Sequence, residues 1–311
     1  MRVGLDIGGT KTAALVVDDS GAVTEQLLLP TGYGADAVIA TAVFAVRQLA
    51  ERLGVQPSDL DSIGVGVPGV VDADSGQVSH AVNLGLQDLA LGSELSAQLG
   101  TQVYVENDVN AAAIAAFQML AAPSSHSLAY LNLGTGLAAG LIVCGSLWRG
   151  SRGAAGEIGH LPVDPTGPQC ACGQRGCLEL MASGSAVARM WPSDDPRPVK
   201  ALFEAAAAGE SAALEVKAKL IENIAAAVRI LVLTVDVDSV VIGGGLSAQG
   251  AVLLNDVQAV LIRWAATSPF LKSLDLASRV SLLPRQCPAA ALGAALVGAT
   301  STSRVDRLVS I

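Results

Sequence analysis

Apolar and other residues alternate over Val3, Leu5 and Ile7, break at Gly8-Gly9-Thr10, and resume over Thr12 to Val17 ahead of an Asp18-Asp19-Ser20-Gly21 turn. A period of two interrupted by glycine predicts two strands joined by a tight turn. Ala35 to Leu53 carries an amphipathic helical pattern. Ser62 to Val71 reads as a buried strand broken at Pro68-Gly69. A short strand is expected over Gln102 to Val105, then Glu106-Asn107-Asp108 and a strong helix, VNAAAIAAFQML. Further on, Lys200 to Gly209, Ala212 to Leu233, Ala251 to Trp264 and Ala289 to Ala299 have helical patterns, and Pro192 to Pro198 reads as a surface loop. Asp238 to Gly245 is a buried strand ending in three glycines, and Ser281 to Leu283 a last strand. Strands alternating with helices predict an α/β protein.

The opening hairpin pattern recurs. Leu131 to Gly145, LNLGTGLAAGLIVCG, aligns with the segment from Leu5 at an offset of 126 positions, with Gly134 on Gly8, Ala139 on Ala13, Leu141 on Leu15 and Asn132 on Asp6. An internal repeat of a β-turn-β unit is expected. A glycine turn exposes backbone N–H groups to close approach. With the Thr10 hydroxyl, the Lys11 cation and the Asp6 carboxylate it makes a phosphate cradle with a place for Mg2+; an ordinary hairpin is the alternative. Two such hairpins can grip a polyphosphate from both sides.

The 311 residues allow two domains or one large α/β unit. With 51% hydrophobic and 15% charged residues there is ample material for a core. The apolar runs are interrupted short of the roughly 20 residues a membrane span needs, and MRVGLDIGG reads as strand and turn, not as a signal peptide. A cytoplasmic protein is the expectation, with no membrane partner. A net charge of −9 and no basic stripe argue against a nucleic-acid partner.

Three of the five cysteines, Cys170, Cys172 and Cys177, fall with His160 in GEIGHLPVDPTGPQCACGQRGCLE, between Gly156 and Glu179. Four N/S donors in one Gly- and Pro-rich segment fit a closed, structural Zn2+ site, because the loop has little apolar material to hold its shape. Core thiols or a disulfide are the alternatives, and an odd cysteine count fits a reducing compartment. Asp108, at a strand–helix junction, fits an N-cap, or a carboxylate kept ionised by the helix dipole to accept a proton. The Gly243-Gly244-Gly245 triplet fits a flat ligand such as a purine, or a strand-to-helix turn.

In combination and in this order, DIGGTK at Asp6 to Lys11, ENDVNAAA at Glu106 to Ala113, GTG at Gly134 to Gly136, GEIGH with CxCGxxGCxE, and IGGG at Ile242 to Gly245 resemble the ROK family of repressors, open reading frames and kinases, within the sugar-kinase/actin-like ATPase superfamily. The resemblance covers nearly the whole chain. It implies two ribonuclease-H-like lobes with an interlobe cleft: residues 1–118, joined by the C-terminal helix 289–311, and residues 119–288 with the zinc loop. It implies ATP and Mg2+ at Asp6, Gly8, Gly9, Thr10, Lys11, Gly134, Thr135, Gly136 and Gly243 to Gly245. Asp108 is then the base that deprotonates a hexose hydroxyl, and the sugar is held by Gly69, Asn107, Asp108, Glu157, His160 and Glu179. Zinc takes His160, Cys170, Cys172 and Cys177, with the second His160 nitrogen facing sugar. A homodimer follows by analogy.

Two departures are visible. Ala138 and Ala139 replace glycines after the second phosphate motif, narrowing the approach to phosphate, and Leu86 replaces an aromatic residue after Asn83 to Gly85. No winged helix, the DNA-reading module of the repressor branch, is expected. The resemblance implies an ATP-dependent kinase for the 6-OH of glucose. Alternatives are a kinase for N-acetylmannosamine, N-acetylglucosamine or fructose, and a sugar-sensing regulator without catalysis. Polyphosphate as donor would need a basic channel, and the sequence has no lysine-rich stretch.

Overall fold

The computed structural model describes residues 1–120, 123, 126–284 and 287–308, with side chains as far as residue 298. The chain divides into two units, Met1–Ala122 with Arg149–Ala154 and Pro288–Ile311, and Pro123–Trp148 with Ala155–Cys287. Both are α/β, as the alternating pattern predicts.

In the first unit β1 (Arg2–Ile7), β2 (Lys11–Val17) and β3 (Val23–Pro30) are antiparallel neighbours, and α1 (Ala35–Leu53) follows. β4 (Ser62–Val67) lies parallel to β1. The chain then makes a separate three-stranded sheet from β5 (Val70–Asp72), β6 (Gln77–Ala81) and β7 (Leu86–Leu89). α2 (Leu91–Leu99) leads to β8 (Val103–Asn107), parallel to β4, and α3 (Asp108–Met119) leaves directly from it. The main sheet therefore has the order β3-β2-β1-β4-β8. Val38, Ala42, Val46 and Leu49, on the stripe of α1 that a 3.6-residue period turns inward, cover Leu5, Val65 and Val105.

The second unit repeats the plan. β9 (Leu128–Leu133), β10 (Leu137–Val143) and β11 (Ser146–Leu147) precede α4 (Glu179–Ala182), α5 (Gly184–Met190), α6 (Pro198–Ala207) and α7 (Ser211–Val235). β12 (Ser239–Gly243), α8 (Ala251–Ala266), α9 (Pro269–Leu274) and β13 (Val280–Leu282) complete it, and the sheet order is β11-β10-β9-β12-β13. Its own core joins Leu131 and Ile242 to Leu220, Ile224 and Val228 of α7.

The internal repeat is real, with one correction to its alignment. β9 starts and ends 126 positions after β1 (128 − 2 and 133 − 7). The returning arms are offset by 125: Asp6 pairs with Ala13, but Asn132 pairs with Ala138, not Ala139. The second turn is one residue shorter, since Gly8 N donates to Lys11 O whereas Gly134 N donates to Gly136 O. Because side chains alternate across a strand, the shift changes which face each residue takes. Ala139 is buried in the unit's core and does not face the turn, so its methyl narrows no approach to phosphate. Leu86 is likewise buried, in the core of the first unit.

The last helix, α10 (Ala289–Leu308), packs on α3, β1 and β4. Its approach depends on glycine: a Cβ at Gly64 would stand 1.8 Å from Ala294 O, and one at Gly293 only 1.7 Å from Ala111 O. Among the described residues no helix is long and apolar enough to cross a membrane.

Candidate active site

Three parallel strands, β1, β4 and β8, end at one edge of the first sheet, and this is the edge at which open α/β sheets bind ligands. Asp6, Gly66 and Glu106 occupy one row across it. Gly66 carries no side chain, and the space above it is taken by the backbone of Asp108, whose Cα would lie 3.5 Å from a Cβ there. The start of α3 thus sits down on the sheet between two carboxylates.

The two acids have different fates. Glu106 is 1% exposed and fully partnered: Arg149 Nε donates to Oε2 at 2.8 Å, while Asn107 N and Asn110 Nδ2 each donate to Oε1 at 3.0 Å. A second Arg149 nitrogen lies 2.5 Å from Oε2. A buried carboxylate needs such a partner. Asp6 faces Asp108 instead, and burial, followed by the Asp108 charge, pushes its carboxyl up to about 7. Oxygen donors of this kind suit Mg2+, and a cation beside Asp6 would offset both the burial and the Asp108 charge that raise it.

The helix is capped by Asn107, not by Asp108. Val109 N and Asn110 N donate to Asn107 Oδ1 at 2.9 and 3.1 Å. Its Nδ2 donates to Gly69 O at 3.1 Å, tying the Pro68-Gly69 turn to the start of α3. In this cap Asp108 Oδ1 accepts its neighbour's N–H, from Val109 at 2.9 Å. Gly69 has φ 102 and leaves no room for a side chain, since a Cβ would meet Ser79 O at 2.7 Å. The Gly8–Lys11 turn exposes Gly9, Thr10 and Lys11. In this unit Asp6, Gly8 to Lys11, Gly69, Asn107 and Asp108 come together as one edge.

In the second unit the residues gather around the start of β10. Glu179, the first residue of α4, accepts Leu137 N at 3.0 Å, and a Cβ on Gly136 would be 2.4 Å from its Oε2. Gly156 and Gly159 of GEIGH press on the same strand: Cβ atoms there would lie 1.7 Å from Ala139 O and 2.0 Å from Leu137 O. Ala139 N donates to Gly156 O at 2.8 Å. Packing therefore explains the two glycines and places exposed Glu157 and half-buried His160 next to the Gly134–Gly136 turn.

The four soft donors converge. One ligand atom each from His160, Cys170, Cys172 and Cys177 lies within 4.8 Å of all the others. Cys172 and Cys177 Sγ are 3.6 Å apart, and Cys170 Sγ is 3.8 Å from His160 Nδ1. Zinc–sulfur bonds of about 2.3 Å in a tetrahedron put sulfurs about 3.8 Å apart, so the set fits Zn2+. The thiols are electrostatically unequal: the Gln174 backbone and side-chain N–H groups hold Cys172 down to about 6, while burial, then its neighbouring cysteines, pushes Cys177 up to about 12. With Nδ1 on the cluster, His160 keeps Nε2 for another partner.

Of the glycine triplet, Gly243 and Gly244 answer to packing. Cβ atoms there would meet the Tyr130 hydroxyl at 2.2 Å and the Leu133 carbonyl carbon at 2.5 Å. Only Gly245 has open space, and it lines a cavity of about 740 Å3 with Gly134, Thr135, Ser185, Arg197 and Lys200. That volume lies within the range of small-molecule pockets, roughly 300–1,000 Å3.

The profile described as "ROK family" matches residues 2–297. The chain belongs to the ROK family. Two curated relatives are a glucokinase of Halalkalibacterium halodurans, 32% identical over 276 residues (82% of this chain, 83% of that one), and an N-acetylmannosamine kinase of Haemophilus influenzae, 31% identical over 248 residues (77% and 79%). Solved ROK structures agree. The hexokinase of Thermus thermophilus is 32% identical with a TM-score of 0.79, covering 97% of this chain and 99% of that one. The glucokinase of Streptomyces griseus, in complex with glucose and AMPPNP, is 30% identical with a TM-score of 0.79, covering 94% and 97%. Within this ROK frame, sequence reasoning missed Arg149. It lies 43 positions from Glu106, and its only signal is that it is one of two arginines, with Arg152, in the glycine-rich run WRGSRG.

Proposed function

We propose that the protein is an ATP-dependent hexose kinase that phosphorylates the 6-OH of glucose. The carrying observation is the edge that holds Asp108: the cap is supplied by Asn107 and the neighbouring charge of Glu106 is cancelled by Arg149. Asp108, whose Oδ1 also accepts Val109 N, is the proposed base: it takes the proton of a sugar hydroxyl as that oxygen bonds to the γ-phosphorus and the bond to the ADP oxygen breaks. The sugar-binding residues of this reading are Gly69, Asn107, Asp108, Glu157, His160 and Glu179. The turns at Gly8 to Lys11 and Gly134 to Gly136 present N–H groups to the phosphates, and Gly245 borders the nucleoside cavity. Asp6 would hold Mg2+, which would supply charge neutralisation for the transferred phosphoryl group, and positioning by the chain's own residues supplies the rest. His160, Cys170, Cys172 and Cys177 would hold a structural Zn2+, which would fix the imidazole and leave its other nitrogen for the sugar. The similarity to glucokinases, and to a solved one that holds glucose, favours glucose over N-acetylmannosamine.

The test is ADP release with MgATP across a panel of hexoses and N-acetylhexosamines, repeated with Asp108→Asn. Turnover on glucose, lost by about 10^2-fold or more in the variant while glucose still binds by calorimetry, is the expected result. Binding without turnover in the parent protein means a sugar sensor instead. Full activity in the variant removes Asp108 as the base.

A further inference from the structure

Tyr33 is an aromatic residue with no place in the mechanism above. It is 77% exposed, yet it is not on a loose loop. On one side Thr31 N donates to Thr10 O of the glycine turn at 3.0 Å, and the Thr31 and Thr12 hydroxyls lie 2.7 Å apart. On the other, Gly34 N donates to Leu84 O at 2.8 Å. The segment is therefore strung between the Gly8–Lys11 turn and the Val82–Gly85 turn. Those two turns also touch directly, since a Cβ on Gly9 would stand 3.2 Å from Asn83 Cβ. The second turn continues from Ala81, whose backbone lies against Gly69, the residue held by Asn107.

The ring has a seat. A Cβ at Gly85 would fall 2.7 Å from Tyr33 Cζ and 2.8 Å from Cε1, so only glycine admits the ring there. Gly85 also has φ 70, where a side chain is strained. One side of the phenol ring rests on the Gly85 backbone and most of the rest is exposed. A solitary exposed apolar side chain needs no explanation. A ring tethered at both flanks, seated on a glycine and two residues from a contact to the Thr10 carbonyl is a preorganised surface. Aromatic faces are electron-rich and stack on the electropositive C–H face of a pyranose, at little cost in conformational entropy because only two torsions are fixed.

We propose that Tyr33 is the platform on which the acceptor sugar stacks, a binding residue contributed by the first unit and separate from the hydrogen-bonding set. This rests on the hexose reading of the site, though not on catalysis. Calorimetry with glucose alone, on the parent protein and on Tyr33→Ala, Tyr33→Leu and Tyr33→Phe, tests it. Ala and Leu should each raise the dissociation constant about tenfold, Leu because it restores apolar bulk without a π face, and Phe should restore the parent value. In steady-state assays KM for glucose should rise with kcat and KM for ATP unchanged. Unaltered glucose affinity in both Ala and Leu variants, a shift in KM for ATP instead, or a parent protein that binds no sugar of the panel overturns the proposal. Absent ADP release with intact sugar binding, lost on Tyr33→Ala, defeats the kinase reading and leaves the platform standing.

Discussion

At the residue scale the acid pair decides most. Asp6 and Asp108 are two carboxylates facing each other, and the folded chain keeps a proton on Asp6 up to about pH 7, against 3.8 for an ordinary aspartate. Below pH 3.8 folded and unfolded chains both hold this proton, and well above 7 neither does. Between those limits the folded state binds more protons, so stability falls as pH rises across the window. The loss amounts to a few kcal/mol, on the order of 1.4 for each pH unit the window spans. Urea unfolding of metal-free protein between pH 4 and 8 should show that slope, and Asp6→Asn should flatten it. Equal slopes in the two proteins would mean that Asp6 titrates like any exposed acid. The sequence located the pair but not its environment. Asn107 and Asp108 are equally good cap residues, so the choice between them depends on the φ and ψ of the junction and on the Gly69 carbonyl that Asn107 also reaches. The partner of Glu106 was hidden for a different reason: burial makes an ion pair obligatory but leaves its other end anywhere in the chain.

At the element scale, strong local signals were legible and weak ones were not. Alternation in β1 and the glycine turn gave the hairpin, and its echo at β9 gave the repeat. β3 was missed because Leu27, Leu28 and Leu29 mask an alternation that exists in burial alone: Leu28 is 61% exposed between half-buried neighbours. The β5–β7 sheet was missed because its strands are three to five residues long and rely on each other. The docking of α10 is a packing fact that no periodicity shows. It is bounded by glycines on both sides, Gly4 and Gly64 on the strands and Gly293 on the helix, and it buttresses α3, the helix that begins at Asp108. Gly64→Ala introduces a methyl 1.8 Å from the Ala294 carbonyl oxygen at a position with ordinary φ, so its effect is steric alone. Overpacking of this kind costs about 1–3 kcal/mol. Thermal or urea unfolding should register that loss. kcat should fall as well, because α3 is displaced with α10. A variant as stable as the parent would mean that α10 can slide away without cost.

At the scale of the whole molecule, one frame is used twice and loaded differently. The first unit carries Asp6 where the second carries Asn132, so only one edge can hold a hard cation through a carboxylate at that position. The additions to the frame differ too: the three-stranded sheet follows β4 in one, and the cysteine loop follows β11 in the other. The sheet has Val71, Val78 and Ala81 in the core, but the loop between Leu161 and Cys177 is mostly exposed, with Cys170 and Cys177 among its few buried side chains. Its internal bonds are short antiparallel bridges, Pro162 with Cys177 and Gln169 with Arg175, and the bonds around them, such as Cys170 N to Gln174 O and Gly176 N to Pro168 O. The proposed Zn2+ would order a loop built this way, whereas each unit's sheet and helices stand on their own core. Purified protein should accordingly contain stoichiometric zinc, and Cys172→Ser should lose it. Removing the metal with a chelator, followed by dialysis into excess Mg2+, should leave far-UV circular dichroism nearly unchanged while opening a single protease-sensitive stretch between Leu161 and Cys177. Glucose turnover should fall with it, since His160 and Glu179 flank that stretch, and should return with added zinc. Cooperative unfolding of the whole chain on chelation would show instead that the two cores are not independent of the loop, and unchanged turnover in zinc-free protein would show that His160 needs no metal to meet the sugar.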